Sequence, residues 1–243
     1  MNISINILLY IMINTVLYVR HAESDANVII HKSKKERKKL TTSQEEKINS
    51  YHDPDITEIG VRQAECTGKH IYDKIKDKKN IHVWISPFKR AQDTAKSFID
   101  ICTSKGLKPN ITILNDLQEY TSSNKTLKDE QKQLGLVTHE SYDMFFEQVL
   151  RFNDILKNEL KNHTTDDILI IFGHSLFFSS LISYHINHEK NKQIDISSLQ
   201  LPNCSISCES YNFETLRWKT FVIGNTSHIP VDIATGIHVP FSL

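Results

Sequence analysis

Val16-Leu17-Tyr18-Val19-Arg20-His21-Ala22-Glu23-Ser24 is an apolar run that stops on an arginine and a histidine. A short apolar run bounded by polar residues marks a buried strand, and its end carries a cation and an imidazole together. In open α/β sheets, ligands bind at the carboxyl ends of the strands. The pattern recurs. Val83-Trp84-Ile85-Ser86 leads into Pro87 and Arg90, and Ile168-Leu169-Ile170-Ile171-Phe172 leads into Gly173-His174. Three strands that each deliver a histidine or an arginine to one edge predict an anion site. Guanidiniums suit a phosphate, and one imidazole would be free to attack it.

Helical spacing fills the gaps between these strands. From Thr57 as N-cap, Val61, Ala64, Gly68, Ile71 and Ile75 form an apolar stripe. Ser86 followed by Pro87 reads as an N-cap and first helical residue, with Ala91, Ala95, Phe98 and Cys102 facing inward and Arg90 in the first turn. A long helix is expected from Tyr142 through Leu160, and another from His174 through His185, whose amino end would favour an anion. Strands are expected at 111–114, 205–211 and 219–223. Helices alternating with strands predict a three-layer α/β/α sandwich around a central, mostly parallel sheet.

At 243 residues the chain suits one domain, 1–243, with a single core. Its 29 basic residues balance 29 acidic ones, so the net field gives no reason to expect nucleic acid as a partner. Four cysteines without close clusters read as free thiols in a reducing, cytoplasmic setting. Cys204 and Cys208 fall along an expected strand, too far apart to share an ion, and His185 and His188 read as structural or exposed, so no metal is assigned. The stretch 3–19 is interrupted by Asn6 and Asn14 and lacks a basic flank, which argues against a signal peptide or a membrane span. Residues 1–11 read as an N-terminal extension, with Met12 an alternative start.

The motifs also occur in a familiar order. Arg20-His21-Ala22-Glu23-Ser24 with Asn27, Thr57-Glu58-Ile59-Gly60-Val61-Arg62-Gln63-Ala64, Ser86 through Ala95, Phe172-Gly173-His174-Ser175 and Asn203-Cys204-Ser205-Ile206 follow one another from about residue 15 to 225. Together they resemble the histidine phosphatase superfamily, or phosphoglycerate mutase-like family, of branch 1 type. The resemblance implies that His21 is a nucleophile forming a phosphohistidine, with Arg20, Asn27, Arg90, His174 and Ser175 around the phosphate. It implies Glu119, in Asp-Leu-Gln-Glu-Tyr, as the proton donor, with Asp116 in reserve. Ser175 stands where the other branch has its catalytic aspartate, which excludes that branch. Ala22 replaces the commoner glycine after the nucleophile.

The implied activity is metal-independent, cofactor-free hydrolysis of phosphomonoesters, on a small molecule or a phosphoprotein. The alternatives are a phosphoglycerate mutase-type phosphotransferase and a catalytically inactive binding or scaffold member. Stretches typical of the mutases are missing, since Glu119 is followed by Tyr120-Thr121-Ser122-Ser123. A complete set of His21, Arg20, Arg90 and His174 speaks against an inactive member. Residues 28–52, rich in Lys32, Lys34, Lys35, Arg37, Lys38 and Lys39, read as a basic insertion able to steer anions. Residues 120–140 occupy the place where the family carries a substrate lid. Oligomeric state and physiological substrate stay open at this level.

Overall fold

Strand β4 (Asp167–Gly173) is buried at every residue. Its uninterrupted Ile168–Phe172 run reflects this position, because a strand covered on both faces has no polar face to present. The computed structural model describes residues 14–50, 53–122, 127, 129–133, 135–190 and 199–236. The expected extension at 1–11 and the start at Met12 lie outside the described residues. Around β4 lie β1 (Thr15–Arg20), β2 (Asn80–Ile85), β3 (Asn110–Ile113), β5 (Ile206–Asn212) and β6 (Arg217–Asn225). Among the described residues they form one sheet in the order β3-β2-β4-β1-β5-β6. The first four are parallel, and β5 and β6 are antiparallel.

Side-chain alternation along β1 sorts the helices into two layers. Val16 and Tyr18 face α6 (Tyr142–Leu160) and α7 (Ser175–Lys190), whereas Leu17 and Val19 face α3 (Glu58–Ile75) and α4 (Lys89–Ser104). The expected sandwich is therefore present. In α6, Phe145, Val149, Phe152, Leu156 and Leu160 are all fully buried at helical spacing, behind Ser141, whose hydroxyl accepts from the Met144 amide. Each such side chain contributes about 1.5–3 kcal/mol on burial. Helices α3 and α4 approach closely at Gly68, where a Cβ would come within 2.9 Å of the Phe98 amide nitrogen.

Some local expectations are corrected. Thr57 does cap α3, accepting from Gly60. Val61, however, is exposed, and the buried positions of that turn are Gly60, Gln63 and Ala64. Helix α4 starts at Lys89, not at Pro87. Its side-chain cap comes from a distant loop, where the Asp53 carboxylate accepts from the Lys89 amide at 2.5 Å, so Ser86 is released for another partner. The basic stretch is largely helical: α1 (Asp25–Lys35) already begins before residue 28, and α2 (Thr42–Ser50) follows, while residues 51–52 lie outside the described residues.

Candidate active site

Register sets the centre of the site. Arg20 on β1 pairs with Gly173 on β4, so the next residues, His21 and His174, emerge side by side, with ring centroids 5.3 Å apart. Ile85 on β2 pairs with Phe172, which brings Ser86 and the start of α4 to the same edge. Antiparallel β5 begins here too, since Val19 faces Ile206, so Asn203 precedes it into the crevice. Each strand end is thus anchored by the sheet before a functional side chain leaves it.

His21 is buried, and its Nδ1 lies 2.7 Å from the Ala22 carbonyl oxygen. A carbonyl only accepts, so Nδ1 carries the proton and Nε2 keeps its lone pair. Burial, with the Arg90 and Arg20 charges adding to it, holds the imidazole well below the usual histidine range. The ring is therefore neutral near pH 7. His174 is also held neutral, chiefly by burial. Its Nε2 lies 2.7 Å from Ser86 Oγ, and its Nδ1 is buried without a partner among the described residues.

The cations are fixed by neighbouring loops. Arg20 Nη1 donates to the Leu201 carbonyl at 2.5 Å, and its Nε is buried without a partner among the described residues. Burial lowers Arg20 to about 10, which leaves it charged at neutral pH. Arg90 Nη1 donates to Asp53 Oδ1 at 3.1 Å, and its guanidinium lies 4.5 Å above the Phe88 ring. Asn27 Oδ1 accepts from Asn203 Nδ2 at 2.9 Å and from Ser24, which leaves its own NH2 as the group to donate into the cavity. The Ser175 hydroxyl lines the crevice but is tied to the Leu201 backbone, at 3.2 and 3.4 Å. Orphaned donors beside two guanidiniums fit an anionic ligand.

Glu119 arrives by a different route. After β3, one 3-10 turn at Asn115–Leu117 reverses the chain, and Gln148 on α6 holds it by donating to the Asp116 and Gln118 carbonyls. Glu119 Oε2 accepts from the Leu176 amide in the first turn of α7 at 3.1 Å, and Oε1 from the Tyr120 amide at 3.0 Å. Burial outweighs these bonds and the nearby arginines, so its pKa is raised. Asp116, the reserve candidate, faces Arg151 at 3.8 Å instead. Arg20, Asn27, Glu119 and Ser175 line two adjoining lobes, of about 220 Å³ beside His21 and about 310 Å³ toward Lys34 and Gln200.

The family model for the histidine phosphatase superfamily (branch 1) matches residues 16–223. The chain belongs to this superfamily. No curated protein matches it significantly. Among solved structures it is similar to a putative alpha-ribazole-5'-P phosphatase from Escherichia coli, at 17% identity and TM-score 0.59 over 87% of this chain and 97% of that one. A mycobacterial glucosyl-3-phosphoglycerate phosphatase in complex with VO3 gives 16% identity and TM-score 0.58, over 88% and 100%. A phosphoglycerate mutase from Bacillus anthracis gives 16% and 0.57, over 88% and 94%. These likenesses establish the shared fold, and the superfamily is one of phosphatases and mutases.

This member of the superfamily also holds its His21 loop with residues that the sequence displayed but did not explain. Thr94 Oγ1 accepts from the Ala22 amide at 2.9 Å, and Gln63 Oε1 from the Glu23 amide at 2.9 Å. Asn203 Nδ2 donates to the His21 carbonyl at 3.1 Å. All three stand inside the ordered motifs, which was the available signal; Asp53 stood in none. The Ala22 methyl packs against Ala64 and Cys204, so the departure from glycine is absorbed by a small apolar cluster. The cysteines are free, His185 is buried between Glu209 and Asn153, and the His188 side chain lies outside the described part.

The stretch 120–140 is pinned at its ends. Gln118 bonds both the amide and the carbonyl of Val137, and His139 pairs with Thr121. Leu127 and Leu136 cover Phe88, at the rim of the crevice, and α5 (Asp129–Gln133) lies between them. Residues 123–126, 128 and 134 lie outside the described residues.

Proposed function

We propose that this protein is a phosphatase that hydrolyses phosphomonoesters through a phosphohistidine on His21. The observation that carries this reading is the His21–Ala22 bond, which leaves a neutral Nε2 with its lone pair free on a cavity lined by Arg20 and Arg90. Nε2 attacks phosphorus in line, the bond from phosphorus to the leaving oxygen breaks, and Glu119 gives that oxygen its proton. Water then attacks the phosphohistidine, its proton passes to the Glu119 carboxylate, and the P–N bond breaks to free His21 and phosphate. Arg20, Arg90, Asn27 and His174 hold the equatorial oxygens, where charge concentrates in the transition state. Ser175 supports this ring by fixing the Leu201 segment that holds Arg20.

With two guanidiniums and orphaned donors supplied by the chain, the transferring group has its charge balanced without a metal or cofactor. The larger lobe, with Lys34 and His31 on its wall, suits an organic leaving group that carries further negative charge. Lys32 and Lys35 flank the neighbouring groove and would steer anionic substrates, small esters or phosphoproteins, toward it. The 120–140 stretch, clamped over Phe88, would act as the lid. The strands from whose ends His21, His174 and the start of α4 emerge belong to one sheet, in keeping with a single catalytic domain. Free thiols are in keeping with a cytoplasmic protein, and among the described residues no helix is long and apolar enough to cross a membrane.

The test is a panel of phosphorylated sugars, nucleotides, inositols and peptides, assayed with chelator present and with vanadate as inhibitor. The expected result is phosphate release that chelator leaves unchanged and vanadate blocks. Transfer between phosphoglycerates without net phosphate release would favour the mutase alternative, and no turnover of any substrate the inactive one.

A further inference from the structure

A second cluster of chemical groups lies at the opposite edge of the sheet, away from the crevice. His82 sits early in β2 on the α6 side, as its register with Leu169 and its alternation with Val83 require. Glu159 lies in the last turn of α6, and His163 follows four residues later in the turn that the Leu160 carbonyl closes. Glu159 Oε1 is 3.5 Å from His82 Nδ1 and 3.6 Å from His163 Nε2, and one ligand atom from each residue fits within 4.8 Å of the others. These separations are too long for good hydrogen bonds. They are close to the roughly 3.3–3.5 Å between ligand atoms that each sit about 2.0–2.1 Å from a tetrahedral zinc.

His163 supplies an independent sign. Its side chain is only 4% exposed, yet neither ring nitrogen has a hydrogen-bond partner among the described residues. A buried imidazole without partners is costly unless something else satisfies it. On the far side of His82, Nε2 is 3.6 Å from Asp167 Oδ1, while Asp167 Oδ2 is engaged by Thr164. At that distance Asp167 makes no direct hydrogen bond to the ring, but a carboxylate on the Nε2 side favours the tautomer that leaves the Nδ1 lone pair facing Glu159.

We propose that His82, Glu159 and His163 form a site for a divalent transition metal, zinc by its donor set, with Asp167 orienting His82. Two neutral imidazoles and one carboxylate leave a single positive charge, and the partly exposed side chains of His82 and Glu159 leave an entry path. The ion would tie β2 to the end of α6 and the start of β4. It would be structural and separate from phosphoryl transfer, so this inference stands whatever the fate of the proposed activity.

The experiment is titration of the chelator-stripped full chain with Zn²⁺ by calorimetry, repeated with Co²⁺ and read by visible absorption. The wild type should bind one ion with a tetrahedral Co²⁺ spectrum, and excess Zn²⁺ at about 100 times Kd should raise Tm by about 5–10 °C. His163→Ala and, as a milder change that keeps shape, Glu159→Gln should each weaken binding by more than about 10-fold. His21→Ala should bind like wild type. The proposal is overturned if the wild type binds no ion, if Glu159→Gln binds as tightly as wild type, or if His21→Ala abolishes binding and so places the ion in the phosphate crevice.

Discussion

The Nδ1 of His21 and the carbonyl oxygen of Ala22, its neighbour in the chain, lie 2.7 Å apart. A ring that bonds to the backbone of the next residue cannot turn without breaking that bond. The carbonyl itself is steadied because the Ala22 amide is held by Thr94 and the following amide by Gln63. One local contact therefore fixes both the tautomer and the aim of Nε2. The rest of the proposed chemistry depends on that aim.

Glu119 is the first place to test the chemistry. Glu119→Gln should slow phosphorylation of His21 by about 100- to 10,000-fold for alkyl phosphates, whose leaving alkoxide needs a proton, and only mildly for p-nitrophenyl phosphate. The sign of the pH profile follows from the same groups. Attack needs neutral His21 and is lost as pH falls through its depressed pKa, below about 6.5. Proton donation needs protonated Glu119 and is lost as pH rises through its raised pKa. Single-turnover rates across pH should show the alkaline limb vanish in Glu119→Gln; equal losses for both leaving groups would make Glu119 a positioning residue.

Arg90 and Asp53 should behave as a coupled pair. Arg90→Ala removes a guanidinium from the developing charge and should cost about 100- to 1,000-fold in kcat/KM. Asp53→Asn should cost less, because it only loosens the aim of Arg90 and the cap on α4. The double variant should be no slower than Arg90→Ala alone, as expected when one residue acts through the other. Additive losses in steady-state kinetics would separate them.

Acid stability provides a test independent of activity. His228 stacks on His70 and bonds Thr67, and burial, with His70 beside it, lowers it to about 3. Below about pH 6.5 the unfolded chain takes up a proton that the folded chain refuses, so the unfolded state binds more protons. Stability is thus present above about 6.5 and lost as pH falls, by up to about 1.4 kcal/mol per pH unit for each such histidine. Tm measured from about pH 7 down to about pH 5 should fall less steeply in His228→Gln than in the wild type.

The sheet and its edge were legible because burial leaves a pattern. Ile168–Phe172 read as a buried strand, and the residues after each apolar run were expected at one edge of the sheet. Helix α6 was legible because the apolar stripe from Tyr142 to Leu160 is a local signal. The start of α4 was not, because its cap is Asp53, more than 30 residues away, and no local pattern marks a cap supplied by another loop. Val61 misled because Gly60 packs its backbone so close to Glu23 that the helix face turns, leaving Gly60 rather than Val61 inward. Gln63, Thr94 and Asn203 stood in the motifs, but their task of bonding the His21–Glu23 loop exists only in three dimensions. The His82–Glu159–His163 cluster joins two chain segments nearly 80 residues apart and had no sequence signature.

The most direct measurement is capture of the covalent intermediate. The wild-type protein, mixed with a slowly turned over labelled phosphomonoester and rapidly quenched, should carry acid-labile, base-stable phosphate on His21. His21→Ala should carry none and should hydrolyse no substrate of the panel at a measurable rate. Label that persists in His21→Ala, or turnover by that variant near the wild-type rate, would contradict the account.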